Sequence, residues 1–324
     1  MSGDDDSNGW QLTESDPGVF SELLKTLGVP LIVDDLYSLD SESLASLQPL
    51  HALIFLFKWV STSSDSMSGN YDPEFPGFFA HQVVNNACAT LAVLNALGNI
   101  PALKSGSQLT QLLEFTNGMD PQTRGLVITS SDWLREAHNS LSPPSAISLD
   151  GLGLPKQTED AYHFVVYLPF MGFLYELDGL KPHAVSHGSY NETGEGWLSR
   201  ARSESEVIEN RIATYPPGAL DFSLLALRED PLPLIQAELA ELQAAGKQAE
   251  AADLVVKLES ETSKRNRWNF ENSLRRHNHV GLVHSLLVAL AKAGKLESAK
   301  ERAKGIMKER VSKAKSKGEA MDES

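Results

Sequence analysis

Cys88 is the one cysteine in this 324-residue sequence, and its surroundings suit a nucleophile. It lies in Phe78 to Asn99, where residues 87–97 are small or apolar almost all round. That pattern predicts a buried helix, with Asn85 or Asn86 available to cap its start and Gly98 to end it in a left-handed turn. Cys88 then falls in the first turn, where unpaired backbone N–H groups and the positive end of the helix dipole favour a thiolate. Gln82, six residues earlier, carries an amide that can reach the same space as a donor to a developing oxyanion.

A lone cysteine on an apolar helix is most often a core residue, so the chemistry requires a base and an orienting group elsewhere. The segment from Ala161 to Gly179 reads as two strands joined by a tight turn, with Pro169 to Gly172 between them. A turn centred on Phe170 and Met171 sets His163 opposite Asp178, at the Cβ separation of about 4.5 to 5.5 Å that suits an imidazole–carboxylate hydrogen bond. Of the nine histidines, only His163 has such a context. His81, beside Gln82, is its rival by sequence proximity. His183 and His187 read as loop residues, and His277, His279 and His284 fall in a basic helical region. No His, Cys, Asp and Glu spacing suggests a metal site.

These residues need a scaffold, and the rest of the chain can supply one. Trp10 to Gly28 reads as a capped helix with Asp16 at the cap and Pro17 at the first helical position. Leu53 to Val60 reads as a strand buried on both faces, and Gln108 to Thr116 and Ser131 to Ser140 as amphipathic helices. Ser142 to Asp160 is a long Pro, Gly and Ser-rich loop, a length usually tied to function. Trp197 to Ile212 reads as a helix and Asp221 to Leu227 as a closing strand. From Arg228 the composition turns to Ala, Glu, Gln and Lys, with striped helices. A second unit is expected from Arg265, carrying Trp268, Phe270 and Leu274, then an apolar face at Val280, Val283, Leu287 and Leu290. About 60 residues of helix is a small core to stand alone, which makes a partner plausible there.

The formal net charge is -15, although Lys292 to Lys317 holds ten basic residues against three acidic ones. An acidic main body suits a basic protein or peptide partner and argues against nucleic acid, and the basic tail lacks stacking aromatics. One cysteine excludes an internal disulfide and a cysteine-cluster zinc site. The acidic start has no signal-peptide pattern, and no apolar run is long enough to span a bilayer. The expectation is an intracellular protein with no membrane partner.

Glu14-Ser-Asp-Pro-Gly-Val-Phe20, Gln82 with Asn85-Asn-Ala-Cys88-Ala-Thr90, His163-Phe, and Leu174-Tyr-Glu-Leu-Asp178-Gly, in this order, resemble the ubiquitin C-terminal hydrolase family of cysteine deubiquitinases. Arg275-Arg-His-Asn278 with Leu286-Leu and Leu290-Ala resembles the C-terminal extension of that family's proteasome-associated member. The resemblance implies an α/β fold, an α+β sandwich with a knotted backbone and a papain-like thiol protease site, followed by an α-helical extension. It implies Cys88 as nucleophile, His163 as general base, Asp178 as the group orienting the imidazole and Gln82 as oxyanion donor, with no cofactor. Residues 8–228 would form the catalytic domain, with the 142–160 loop crossing over the active site. Residues 229–263 would form a helical linker, and 264–324 a helical proteasome-docking domain with a basic tail. The implied partners are ubiquitin and its conjugates, and the ubiquitin-receptor subunit of the proteasome regulatory particle, in cytoplasm and nucleus. The rival expectation is a catalytically silent scaffold that holds ubiquitin at the proteasome; the intact set of four residues argues against it.

Overall fold

The computed structural model describes residues 8–58, 69–142, 162–202, 207–208, 222–277 and 279–306. Apart from Ser142, the expected crossover loop lies outside them, as do the end of the basic tail and most of the helix expected to follow Arg202. The chain divides into two compact units, the described residues up to Arg276 forming one and those from His277 on the other.

The first unit is built on an antiparallel sheet. In chain order its strands are β1 (Leu31–Asp35), β2 (Leu50–Lys58), β3 (Asn70–Asp72), β4 (Tyr162–Phe170), β5 (Phe173–Leu177), β6 (Ala184–Ser189) and β7 (Phe222–Glu229). They lie side by side as β1-β7-β2-β4-β5-β6-β3, and every neighbouring pair is antiparallel. β2 and β4 are central, so successive side chains must be apolar on both faces. Ile54, Phe164 and Val166 pack toward α1 (Pro17–Thr26), α3 (Cys88–Leu97) and α4 (Ser107–Phe115). Leu53, Phe55, Val165 and Tyr167 pack toward α2 (Ser41–Ser46) and α7 (Trp197–Arg202). The sheet is thus covered by helices on both sides, an α+β sandwich.

The helix starting at Asp16 forms as expected, with the Asp16 carboxylate accepting from Val19 N at 3.1 Å. Residues before it are not helical; α1 begins at Pro17, because proline at the first helical position fixes the start. Two more helices follow α4, α5 (Pro121–Thr129) and α6 (Asp132–Asn139). α5 has no counterpart in the sequence reading, although Asp120 followed by Pro121 is a start signal. Its poor apolar stripe, around buried Arg124 and Gly125, hid it. β6 was hidden likewise, since Ala-Val-Ser-His-Gly-Ser has little strand character. His187 is therefore a buried strand residue rather than a loop residue.

Beyond β7 come α8 (Pro231–Ala244), α9 (Gln248–Arg275) and α10 (Val280–Lys292). α9 runs unbroken through position 264, where the sequence reading began a separate segment. Its C-terminal half belongs to the first unit. Gly18 leaves space for the Trp268 ring, whose Cγ would come within 2.8 Å of any Cβ there. Asn272 Nδ2 donates to Gly18 O at 2.9 Å, and Arg275 pairs with Glu14 and Asp16 at 3.1 and 3.0 Å. Buried Arg228 on β7 donates to Asp34 on β1 at 2.7 Å, and Lys264 on α9 reaches the same carboxylate at 2.8 Å. The second unit, expected from Arg265, thus starts at His277. Its described part is α10 and a helical stretch over 296–306. α10 bears Leu282, Val283, Leu286 and Leu287 on its surface, Leu282 and Leu286 being 60% and 55% exposed. Among the described residues, no helix is long and apolar enough to cross a membrane.

Candidate active site

α3 brings Cys88 to the sheet as the first residue of a helix that is buried throughout. Neither Asn85 nor Asn86 caps it; the cap position is Ala87, which makes no side-chain cap hydrogen bond. Asn86 instead adopts a left-handed φ of 66° and donates from Nδ2 to Trp10 O at 3.0 Å, fixing how the chain enters the helix. Gly98 does not end the helix in a left-handed turn either, since its φ is −65°. It is needed for close approach, because Cγ of Phe78 would stand 2.3 Å from any Cβ there.

Phe78 belongs to the segment that leads to Gln82, and side chains at the end of α3 and just past it hold that segment. Asn99 Oδ1 accepts from Phe78 N at 2.8 Å, and its Nδ2 donates to Phe78 O at 2.8 Å. Asn95, buried within the apolar helix, bonds both the N–H and the carbonyl of Ala80, at 2.8 and 3.2 Å. A buried amide in an apolar run must find partners or destabilise the fold. A lone amide in an apolar helical run is thus the sequence signal for Asn95. The segment ends with Gln82 N donating to Gly179 O at 2.8 Å. The side-chain Oε1 of Gln82 is buried without a hydrogen-bond partner among the described residues.

β4 and β5 form the expected hairpin, with its turn one residue later than the sequence reading set it. Phe170 pairs with Phe173 and Val166 with Leu177, so Met171 and Gly172 make the turn, both at positive φ. Asp178 therefore lies past the end of the ladder and is a diagonal rather than a direct neighbour of His163. The shift keeps both on one face, because cross-strand partners two positions apart share a face. The expected contact survives: His163 Nε2 lies 2.6 Å from Asp178 Oδ1, with both side chains buried.

Cys88 also lies near enough to the His163 ring to act on it. With Nε2 committed to Asp178, Nδ1 is the ring nitrogen left for the sulfur. Burial alone lowers the pKa of the imidazole, but the bonds and charges of Asp178 and Cys88 outweigh it and raise it to about 9. The edge of the Phe57 ring closes against the imidazole, with centroids 5.8 Å apart. An imidazolium held between a carboxylate and a sulfur is the arrangement that thiol nucleophiles use.

The structure thus joins Cys88, His163 and Asp178 in one chain of contacts and ties Gln82 to Gly179, the residue after Asp178. His81 is not part of this chain; its ring meets Gln122 and Pro182 O instead. Among the described residues, no cluster of His, Cys, Asp and Glu could hold a metal ion.

A family model described as ubiquitin carboxyl-terminal hydrolase, family 1, matches residues 10–213, and one described as ubiquitin carboxyl-terminal hydrolases matches 251–296. The chain is 37% identical over 314 residues to ubiquitin carboxyl-terminal hydrolase ubh-4 of Caenorhabditis elegans, covering 92% of this chain and 95% of that protein. It is 31% identical over 342 residues to the isozyme L5 of Dictyostelium discoideum, covering 92% and 96%. Among solved structures it resembles Trichinella spiralis UCH37 bound to ubiquitin vinyl methyl ester, with a TM-score of 0.65 and 32% identity over 80% of this chain and 99% of that one.

Proposed function

The chain belongs to the ubiquitin carboxyl-terminal hydrolase family, as a cysteine deubiquitinating peptidase, and on that premise we propose that Cys88, His163, Asp178 and Gln82 carry out the hydrolysis. The Cys88 thiolate attacks the carbonyl carbon of ubiquitin's C-terminal glycine, forming a C–S bond and pushing an electron pair onto the oxygen. Gln82 and the Cys88 backbone N–H hold that oxyanion at the start of α3. The His163 imidazolium gives its proton to the leaving amine as the C–N bond breaks. The neutral imidazole then takes a proton from water, which hydrolyses the thioester. Asp178 keeps the ring oriented throughout. The observation that carries this reading is buried His163, bonded to Asp178 at 2.6 Å and within electrostatic reach of Cys88. Its test is release of a fluorescent leaving group from the ubiquitin C-terminus. Cys88→Ala should abolish release in a folded protein, and retained activity would refute the thiol mechanism.

The finer part of the proposal concerns the extension. It docks on the ubiquitin-receptor subunit of the proteasome regulatory particle, which would place the enzyme in cytoplasm and nucleus. Support comes from exposed Leu282, Val283, Leu286 and Leu287 on α10, an apolar helix face of the kind that seats in a partner's groove. The region from residue 264 divides, since Trp268, Asn272 and Arg275 serve the catalytic unit. The truncation that isolates docking therefore removes 277–324 and spares α9. It should keep hydrolysis and lose co-purification with proteasomes; if the shortened protein still co-purifies, the docking assignment is wrong.

A further inference from the structure

The turn after β5 serves two of the four residues at once. Asp178 bonds His163, and the carbonyl of the next residue, Gly179, accepts from Gln82 N at 2.8 Å. The approach is close, since a Cβ on Gly179 would lie 3.0 Å from that nitrogen. Within the turn, Leu180 N donates to Asp178 Oδ1 and Lys181 N to Asp178 O, both at 2.9 Å. Any displacement of this turn moves the carboxylate and the oxyanion donor together.

What fixes the turn comes from outside the four residues. Glu176, 3% exposed, lies two residues before Asp178 and on the same side of the extended chain. Its Oε1 accepts from Lys181 Nζ at 2.8 Å, closing the turn back onto the strand it leaves. Its Oε2 accepts from His187 Nε2 on β6 at 3.2 Å, anchoring the carboxylate from the next strand. An ion pair this deep adds little net stability, because desolvation offsets the attraction, and its best-attested use is to specify one arrangement.

We propose that Glu176 is a positioning residue for the hydrolysis: through Lys181 it holds the 178–181 turn where Asp178 meets His163 and Gly179 meets Gln82. The proposal rests on the thiol mechanism above. Glu176 is buried and acts on groups that work during bond breaking, so its loss should fall on kcat rather than on ubiquitin binding.

The test uses full-length Glu176→Gln and Lys181→Met with the fluorescent ubiquitin substrate, alongside wild type and Cys88→Ala. Both variants should lose about tenfold to a hundredfold in kcat, the scale of a misplaced constellation, with KM within about twofold. Among the described residues, Asp178, Cys88 and Phe57 face the His163 ring. A loosened Asp178 should therefore also move the alkaline limb of kcat/KM to lower pH, which simple loss of folded protein does not do. If Glu176→Gln fails to fold, Lys181→Met, whose side chain is 14% exposed, carries the same readouts. Wild-type kcat and an unmoved limb in a folded variant overturn the proposal. So does a loss that only tracks the folded fraction. An active Cys88→Ala would sink the thiol mechanism instead, which keeps the two failures apart.

Discussion

Two buried histidines flank the helix that carries Cys88, and they are each other's opposite. His163 and His138 are both 4% exposed. His163 meets a carboxylate and a sulfur, and its pKa rises to about 9. On α6, among the described residues, His138 meets neutral groups alone: the Thr90 hydroxyl at 2.7 Å on Nδ1, Gln11 O at 2.7 Å and the Thr13 hydroxyl at 3.0 Å on Nε2. Burial there dominates the one raising contact from Gln11 O, and its pKa falls to about 4. Equal burial thus yields a proton donor at one site and a neutral bracket at the other. The identity of the partners decides which. His138 uses its neutral form to tie the N-terminal segment, with Trp10 stacked edge-on at 4.8 Å, to Thr90, two residues past Cys88.

The sharpest way to break this contrast is to remove each ring. His163→Ala should lower kcat by roughly 10³ to 10⁴-fold while the protein stays folded. His138→Ala should leave kcat per folded molecule close to wild type and lower stability by about 2 to 4 kcal/mol, through the cavity and the orphaned hydroxyl. Turnover per active site and urea unfolding check both, and a catalytic collapse in folded His138→Ala would merge the two roles.

A pH series separates them further, because the linkages run in opposite directions. The unfolded chain protonates histidine near pH 6.5. His138 resists protonation down to about 4, so its contribution is complete above 6.5 and is lost as pH falls from 6.5 toward 4, by about 3 kcal/mol at most. The His163 contribution is complete below 6.5 and is lost as pH rises toward 9. Unfolding free energy should therefore peak near pH 6.5. His138→Gln should flatten the acid side alone, and an acid side that falls as before would assign it to other groups.

The smallest expected effect is that of Thr90→Val, which removes the donor to His138 Nδ1. It should lower stability by about 1 to 2 kcal/mol and leave kcat within about twofold, as read by thermal unfolding and initial rates. A large drop in kcat would mean that the His138 bracket sets the aim of Cys88.

A second contrast, between α9 and α10, bears on the extension. Both helices follow the catalytic strands and mix apolar with basic residues. α9 places Trp268 and Asn272 against α1 and pairs Arg275 with Glu14 and Asp16, so its special residues are taken up within its own unit. α10 keeps Leu282, Leu286 and Leu287 at the surface. The sequence reading grouped Trp268 with the stripe of α10 because a helical pattern registers which residues are apolar, and what covers them is settled by chain more than 200 residues away.

Much of this protein follows from residue types acting over short stretches of chain. Residue types and local spacing set Cys88 in the first turn of a buried helix, the β4–β5 hairpin that brings His163 near Asp178, and Asp16 with Pro17 at the start of α1. All of these rest on periodicity, capping and turn chemistry, which act over a few residues. Tertiary structure alone decided the rest. The hairpin turn moved by one residue because Met171 and Gly172 take the left-handed conformations that a tight turn between paired strands requires. His138 and His163 parted company through partners on other elements, Gln11, Thr13 and Thr90 for one, Cys88 and Asp178 for the other. Glu176 acquired its place by meeting Lys181 and His187 across a strand that the sequence hides. Charge, burial and hydrogen bonding act through space over a few ångströms, and which groups stand that close is fixed by the packed fold.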